Sequence, residues 1–114
     1  MKKIISLLRL DSYVKTKKAL FNIGVVSMNT QVVQGRGNKS VPSVVGNGEQ
    51  QANIESNDPL YPKQYIDMVV EDDKVDEIIK IIIDTNKTGN SGDGKIFVLP
   101  VDDVLTIRTG EHKL

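Results

Sequence analysis

The chain has 114 residues, enough for one domain with one core and too few for two. Its 15 basic and 15 acidic residues cancel and aromatics make up only 4%, a balance that argues against a nucleic-acid-binding surface. Without a single cysteine, disulfides, a thiolate nucleophile and zinc–thiolate ligation are excluded.

Residues 3–9 read as a buried strand. The apolar run behind Lys2 and Lys3 is broken by Arg9 and Asp11, too soon for a signal peptide. No stretch approaches the roughly 18 apolar residues of a membrane span, so a cytoplasmic protein without membrane insertion is expected. Asp11 and Ser12 offer an N-cap, after which Tyr13, Thr16, Leu20 and Ile23 recur at helical spacing until Gly24. Residues 28–35 form a second predicted strand. Ile66, Met68 and Val70 alternate as one face of a third. Asp72 and Asp73 suit the positive end of a helix, and Val75, Ile78, Ile79, Ile82 and Ile83 then follow the 3.6-residue period, ending before Gly89. A fourth strand over 95–101 leads to a short extended piece at 104–108.

The order β-α-β-β-α-β predicts an α+β fold, a ferredoxin-like βαββαβ sandwich in one domain spanning 1–114. Between its second and third strands lies the stretch 36–61, rich in Gly, Asn, Ser, Gln and Pro. A long flexible insertion of this kind is commonly functional. Pro42, Val44 and Val45 give it something to bury and Arg36 a charge at its base, so a recognition loop that orders on a partner is expected. In the fourth strand Phe97, Leu99 and Val101 share one face, and Ile96, Val98 and Pro100 the other. Two helices cover only one face of a four-stranded sheet. The second apolar face predicts packing against further copies of the chain.

The segment Thr88-Gly-Asn-Ser-Gly-Asp-Gly-Lys-Ile-Phe-Val98 carries the chemistry. Glycine lets successive amides face one concavity, and a lysine adds a point charge, together an anion cradle. Gly89 to Lys95 has the spacing of a nucleotide-hydrolase phosphate loop. Here, however, a helix precedes and a strand follows, and Ile96 fills the place of the metal-binding hydroxyl, so that motif is rejected and phosphate binding is kept. His112 stands alone in a polar tail, where neither a triad nor a metal site can be built from it. Asp102 and Asp103 are explained by turn chemistry rather than as paired catalytic carboxylates.

The element order, the long loop, Gly35-x-Gly37 before it, Pro62-Lys63 after it, and the run Thr88–Val98 closed by Arg108-Thr-Gly-Glu111 resemble the PII nitrogen-regulatory signal proteins over nearly the whole chain. The stretches Lys15-Thr-Lys-Lys-Ala-Leu20 and Asn86-Lys-Thr-Gly-Asn90 are most similar to the NifI-type proteins of nitrogen-fixing archaea and anaerobic bacteria. The resemblance implies a non-enzymatic homotrimer with ATP or ADP in its inter-subunit clefts, joined by 2-oxoglutarate when magnesium accompanies ATP. It also implies a T-loop (36–61) that docks on targets such as an ammonium transporter, a metabolic enzyme or nitrogenase. By position, Gly92, Asp93, Gly94 and Lys95 match its phosphate loop, and Arg108 a second phosphate cation from the neighbouring subunit. Gly35 and Gly37 match the close backbone approach at the loop base. Asn29, Asp67 and Val69 match adenosine contacts, with Asp67 in place of a glutamate, and Lys63 matches a lysine that pairs with 2-oxoglutarate.

Three positions depart from the pattern. Asn38 and Lys39 replace an arginine or lysine and a glutamine, the latter a contact of magnesium and 2-oxoglutarate, and an ammonium cannot coordinate a cation. Thr106 replaces an arginine on the phosphates. Tyr61 at the loop exit does not substitute for the tyrosine that enteric relatives modify at the loop tip. A PII-like sensor of another effector, an AMP-type nucleotide or a small anion, therefore stays open, as does a slow nucleotide hydrolase.

Overall fold

The computed structural model describes residues 1–36, 43–44, 50–51 and 60–114. Its elements in order are β1 (Lys2–Leu8), α1 (Tyr13–Asn22), β2 (Asn29–Gly35), β3 (Ser43–Val44), β4 (Gln50–Gln51), β5 (Tyr61–Val70), α2 (Val75–Asn86) and β6 (Lys95–Pro100). The main sheet has the order β2-β5-β1-β6, and every neighbouring pair is antiparallel. β5 is inserted between β1 and β2, and β1 between β5 and β6. This is the split βαβ arrangement that the element order predicts. β3 and β4 pair only with each other.

The alternation of β1 and β5 decides which face is covered. Ile4, Ser6 and Leu8 of β1, and Gln64, Ile66, Met68 and Val70 of β5, are buried. They point toward the helices, which contribute Thr16 and Leu20 of α1 and Ile78 and Ile82 of α2. Ile78 and Ile82, one turn apart on α2, are the periodic isoleucines expected in the core, whereas Ile83 is 45% exposed. A polar contact joins the helices within this layer. The Asn86 amide donates to Thr16 Oγ1 and to Ile82 O, each at 2.9 Å, and Thr16 Oγ1 donates to Ser12 O at 2.7 Å.

Among the described residues no helix covers the opposite face. Register puts Asn29, Asp67, Ile5 and Phe97 in one row across it, and Gln31, Tyr65, Leu7 and Lys95 in the next. Phe97 and Leu99 are 48% and 41% exposed there. The fourth strand does have two apolar faces, but β6 is an edge strand, and even its helix-side Val98 stays largely open.

Several boundaries differ from the sequence reading. Ser12 makes no side-chain cap. A 3-10 turn over Leu10–Ser12 leads into α1 instead, as another over Asp72–Lys74 leads into α2. β5 begins at Tyr61, so Tyr61 belongs to the sheet rather than the insertion. Its polar first half is held by pairing with β2 from Tyr61–Gly35 to Gln64–Val32. Residues 104–108 form no strand; the chain there enters a turn. Arg36 is exposed directly after β2, while Gly37, Asn38, Lys39, Pro42 and Val45 lie outside the described residues and Val44 is described only as part of β3. Among the described residues no helix is long and apolar enough to cross a membrane.

Candidate functional site

The site is built where β1 ends and β6 begins. Because these strands are antiparallel, Leu7 lies opposite Lys95, and the chain after β1 runs beside the glycine-rich turn that precedes β6. Gly89, Gly92 and Gly94 have φ of +85°, +94° and +110°, a region that disfavours side chains. At Gly94 the demand is doubled, since a Cβ there would sit 1.8 Å from the carbonyl oxygen of Leu7.

Asp93 closes the turn. Its carboxylate accepts the backbone N–H of Thr88 at 2.8 Å and of Gly89 at 3.0 Å, the Thr88 hydroxyl, and Arg9 Nη1. These bonds, first those of Thr88 and then that of Arg9, hold the acid well below its ordinary pKa. The other arm of the same guanidinium, Nη2, donates to Ser91 O at 2.9 Å. Lys63 Nζ, reaching across from β5, donates to Gly92 O at 3.1 Å.

These two carbonyl contacts dictate where the amides face. In a trans peptide, C=O and the following N–H point in opposite directions. With Ser91 O turned to Arg9 and Gly92 O turned to Lys63, the N–H groups of Gly92 and Asp93 are turned away from both cations. Among the described residues neither amide has an acceptor. Two adjacent donors without an acceptor thus stand two and three residues before the exposed Lys95, the residue types from which an oxyanion nest can be made.

Asn29, Asp67 and Val69 share the uncovered face with Lys63. Asn29 Nδ2 donates to Asp67 Oδ1 at 2.9 Å, as their direct cross-strand register requires. The Tyr65 phenol is held above its ordinary pKa, first by its hydrogen bond to Asp67. Val69 is 36% exposed beyond them. Gly35 ends β2 opposite Tyr61, and a side chain there would meet nothing within 4 Å. Packing among the described residues therefore does not explain a glycine at that position.

The remaining cation stands apart from the turn. Thr106 N donates to Glu111 O at 2.8 Å, Thr106 Oγ1 to Lys113 O at 3.1 Å, and Gly110 N back to Thr106 O at 2.7 Å. This compact tail presents Ile107, wholly exposed, and beside it the exposed Arg108. Among the described residues no hydrogen bond or ion pair ties Arg108 to the glycine-rich turn. His112 is exposed but paired, its Nδ1 lying 2.8 Å from Asp103 Oδ1, and the same oxygen accepts Val104 N–H at 2.9 Å, the turn role expected of Asp103.

The contacts of two of the site residues are specific. The Asp93 side chain faces inward and is saturated by four donors, so only its amide is presented outward. Lys63 is engaged with the turn itself. Arg9, which the sequence reading treated only as an interruption of an apolar run, turns out to hold the turn from beneath. Its signal was a cation ending one strand while Lys95 opens another, positions that an antiparallel pair brings together.

Comparison with known proteins agrees with this architecture. The family model described as nitrogen regulatory protein P-II matches residues 1–111. A nitrogen regulatory protein P-II 2 of Methanothermobacter thermautotrophicus is 37% identical over 97% of this chain and 92% of its own length. Two nitrogen fixation nifHD region GlnB-like proteins are also similar, at 35% identity in Methanothermobacter marburgensis and 33% in Methanococcus maripaludis. Each of these covers 98% of this chain and 96% of the relative. With its split βαβ sheet and glycine-rich turn, the chain belongs to the P-II family of nitrogen-regulatory signal-transduction proteins.

Proposed function

We propose that this chain is a sensor that binds ATP or ADP in clefts between three copies and signals to a nitrogen-metabolism target through the loop after β2. One observation carries the reading: the amides of Gly92 and Asp93, without an acceptor among the described residues, closely precede the exposed Lys95, the donors and charge that phosphoryl oxygens require. The base would lie on the uncovered sheet face against Asn29, Asp67 and Val69.

A second copy completes the pocket. Ile107 and the apolar face containing Phe97 and Leu99 are different surfaces of one chain, so their contact is heterologous, the kind that a three-copy rotation closes into a ring. Docking Ile107 on a neighbour carries Arg108 to that neighbour's phosphates. Ligands switch the protein by favouring one loop arrangement over another, through their difference in affinity for the two. Because two of the relatives are named for the nifHD region, nitrogenase or another protein of nitrogen fixation is the proposed target.

Lys63 is the cation for a carboxylate effector such as 2-oxoglutarate, which must draw it from Gly92 O. Magnesium fits this chain poorly. Asp93, the one carboxylate of the turn, is spent on four donors, and Lys39 replaces the expected oxygen ligand. The same saturation of Asp93 leaves the turn without a free base for hydrolysis. The second reading, a sensor of an AMP-type nucleotide, draws on Thr106, which stands where the resemblance implies a phosphate-binding arginine and whose amide and hydroxyl are consumed inside its own turn.

Thermal unfolding with ATP, ADP, AMP and 2-oxoglutarate tests the proposal. Nucleotide at a hundredfold its Kd should stabilise the protein by about 2.7 kcal/mol, and Lys95→Ala should remove most of that shift. A shift unchanged in Lys95→Ala refutes the assigned pocket, and a shift with AMP alone selects the second reading.

A further inference from the structure

We propose that Arg9 is a positioning residue that fixes the phosphate-binding shape of the glycine-rich turn without touching the ligand. The proposal rests on the phosphate reading above and adds a residue to it. Nη1 of Arg9 holds the Asp93 carboxylate, which in turn holds the Thr88 and Gly89 amides. Nη2 holds Ser91 O at 2.9 Å. One planar fork thus fixes both the closure of the turn and the tilt of the peptide between Ser91 and Gly92. That tilt aims the Gly92 N–H outward.

The space beneath the turn is matched to this role. A Cβ at Gly92 would lie 3.3 Å from Arg9 Nη2 and 3.7 Å from Lys63 Nζ, so the guanidinium packs directly under the glycine. Arg9 is therefore on the inner side of the turn while the free amides face outward. Its side chain is only 31% exposed. Lysine cannot reproduce the arrangement, since a single ammonium lacks the rigid two-armed geometry.

Titration calorimetry with ADP and with ATP on wild type, Arg9→Met, Arg9→Lys, Asp93→Asn and the Arg9→Met/Asp93→Asn double variant tests this. Arg9→Met should weaken both nucleotides by a similar factor, on the order of tenfold, and Arg9→Lys by less. The double variant should bind no worse than the weaker single variant, because both substitutions undo one device. In ligand-free protein, Arg9→Met should speed hydrogen exchange at the Thr88 and Gly89 amides about tenfold and leave Leu20 and Ile82 protected. Wild-type affinity in Arg9→Met, a loss confined to ATP, additive losses in the double variant, or unchanged exchange at 88–89 overturns the proposal. If wild type binds neither nucleotide while Arg9→Met still loosens the turn, the phosphate reading fails and the positioning of the turn by Arg9 stands.

Discussion

Gly94→Ala should be among the most damaging single-methyl additions in this protein, and its cost follows from two separate terms. The first is conformational: φ of +110° lies where a side chain costs about 1–3 kcal/mol. The second is steric. The new Cβ would sit 1.8 Å from Leu7 O, and real Cβ contacts essentially never fall below 3.0 Å. The obstacle is backbone in the middle of a sheet, so β6 must move off β1 where Leu7 faces Lys95. Losing one or two ladder bonds there costs about 1 kcal/mol each. The total, about 2–5 kcal/mol, is a large share of the roughly 5–15 kcal/mol that stabilises a typical domain. Gly89→Ala is the control. Its φ is also positive, at +85°, but nothing lies within 4 Å of a Cβ there, so only the conformational cost of about 1–2 kcal/mol applies. Urea unfolding of ligand-free protein at one fixed protomer concentration, compared by midpoint at equal m, separates the two. A Gly94→Ala variant no less stable than Gly89→Ala would refute the close approach of the turn to β1.

Ile107→Asp should lower the light-scattering mass of the assembly to that of the 12.6 kDa protomer, because it places a charge where a wholly exposed isoleucine is proposed to dock; an unchanged mass removes Ile107 from the interface. Thr16→Val keeps the shape of a buried residue but strips the acceptor of the Asn86 amide, so it should cost about 1–3 kcal/mol by denaturant titration, and a neutral result would show the inter-helix bond to be idle. Asp93 has its pKa lowered in the folded protein, so its stabilisation is complete above the unfolded carboxyl value of about 3.9 and is lost only as pH falls through the lower folded value. Exchange at the Thr88 and Gly89 amides, corrected for intrinsic rates, should therefore stay protected from pH 7 to 4. Protection that fades near neutrality would mean another group holds the turn.

Much of the fold was legible because periodicity reports burial directly. The alternation of Ile66, Met68 and Val70 and the spacing of Ile78 and Ile82 identify residues that the sheet and helix do bury. Helix starts were less legible: Ser12 is a good capping residue by type, yet the chain enters α1 through a 3-10 turn that makes no use of its side chain as a cap. The insertion, bounded by its composition, takes in Tyr61, whereas pairing with β2 holds Tyr61 and the residues after it as strand. In the site, the glycines were legible as a turn, and Gly89, Gly92 and Gly94 do take positive φ. Asp93 closes its turn through local bonds to Thr88 and Gly89, whereas the contribution of Arg9 depends on a contact spanning 84 positions of sequence, which no local pattern encodes.

The buried amide of Asn86 ties the end of α2 to α1 only two residues before Thr88, whereas Lys95 at the far end of the turn is registered on β1. The glycine-rich segment is thus a span with one abutment on the helical layer and the other on the sheet. Any slippage of one layer over the other must alter its curvature, so whatever grips that span also gauges, and resists, shear through the whole protomer.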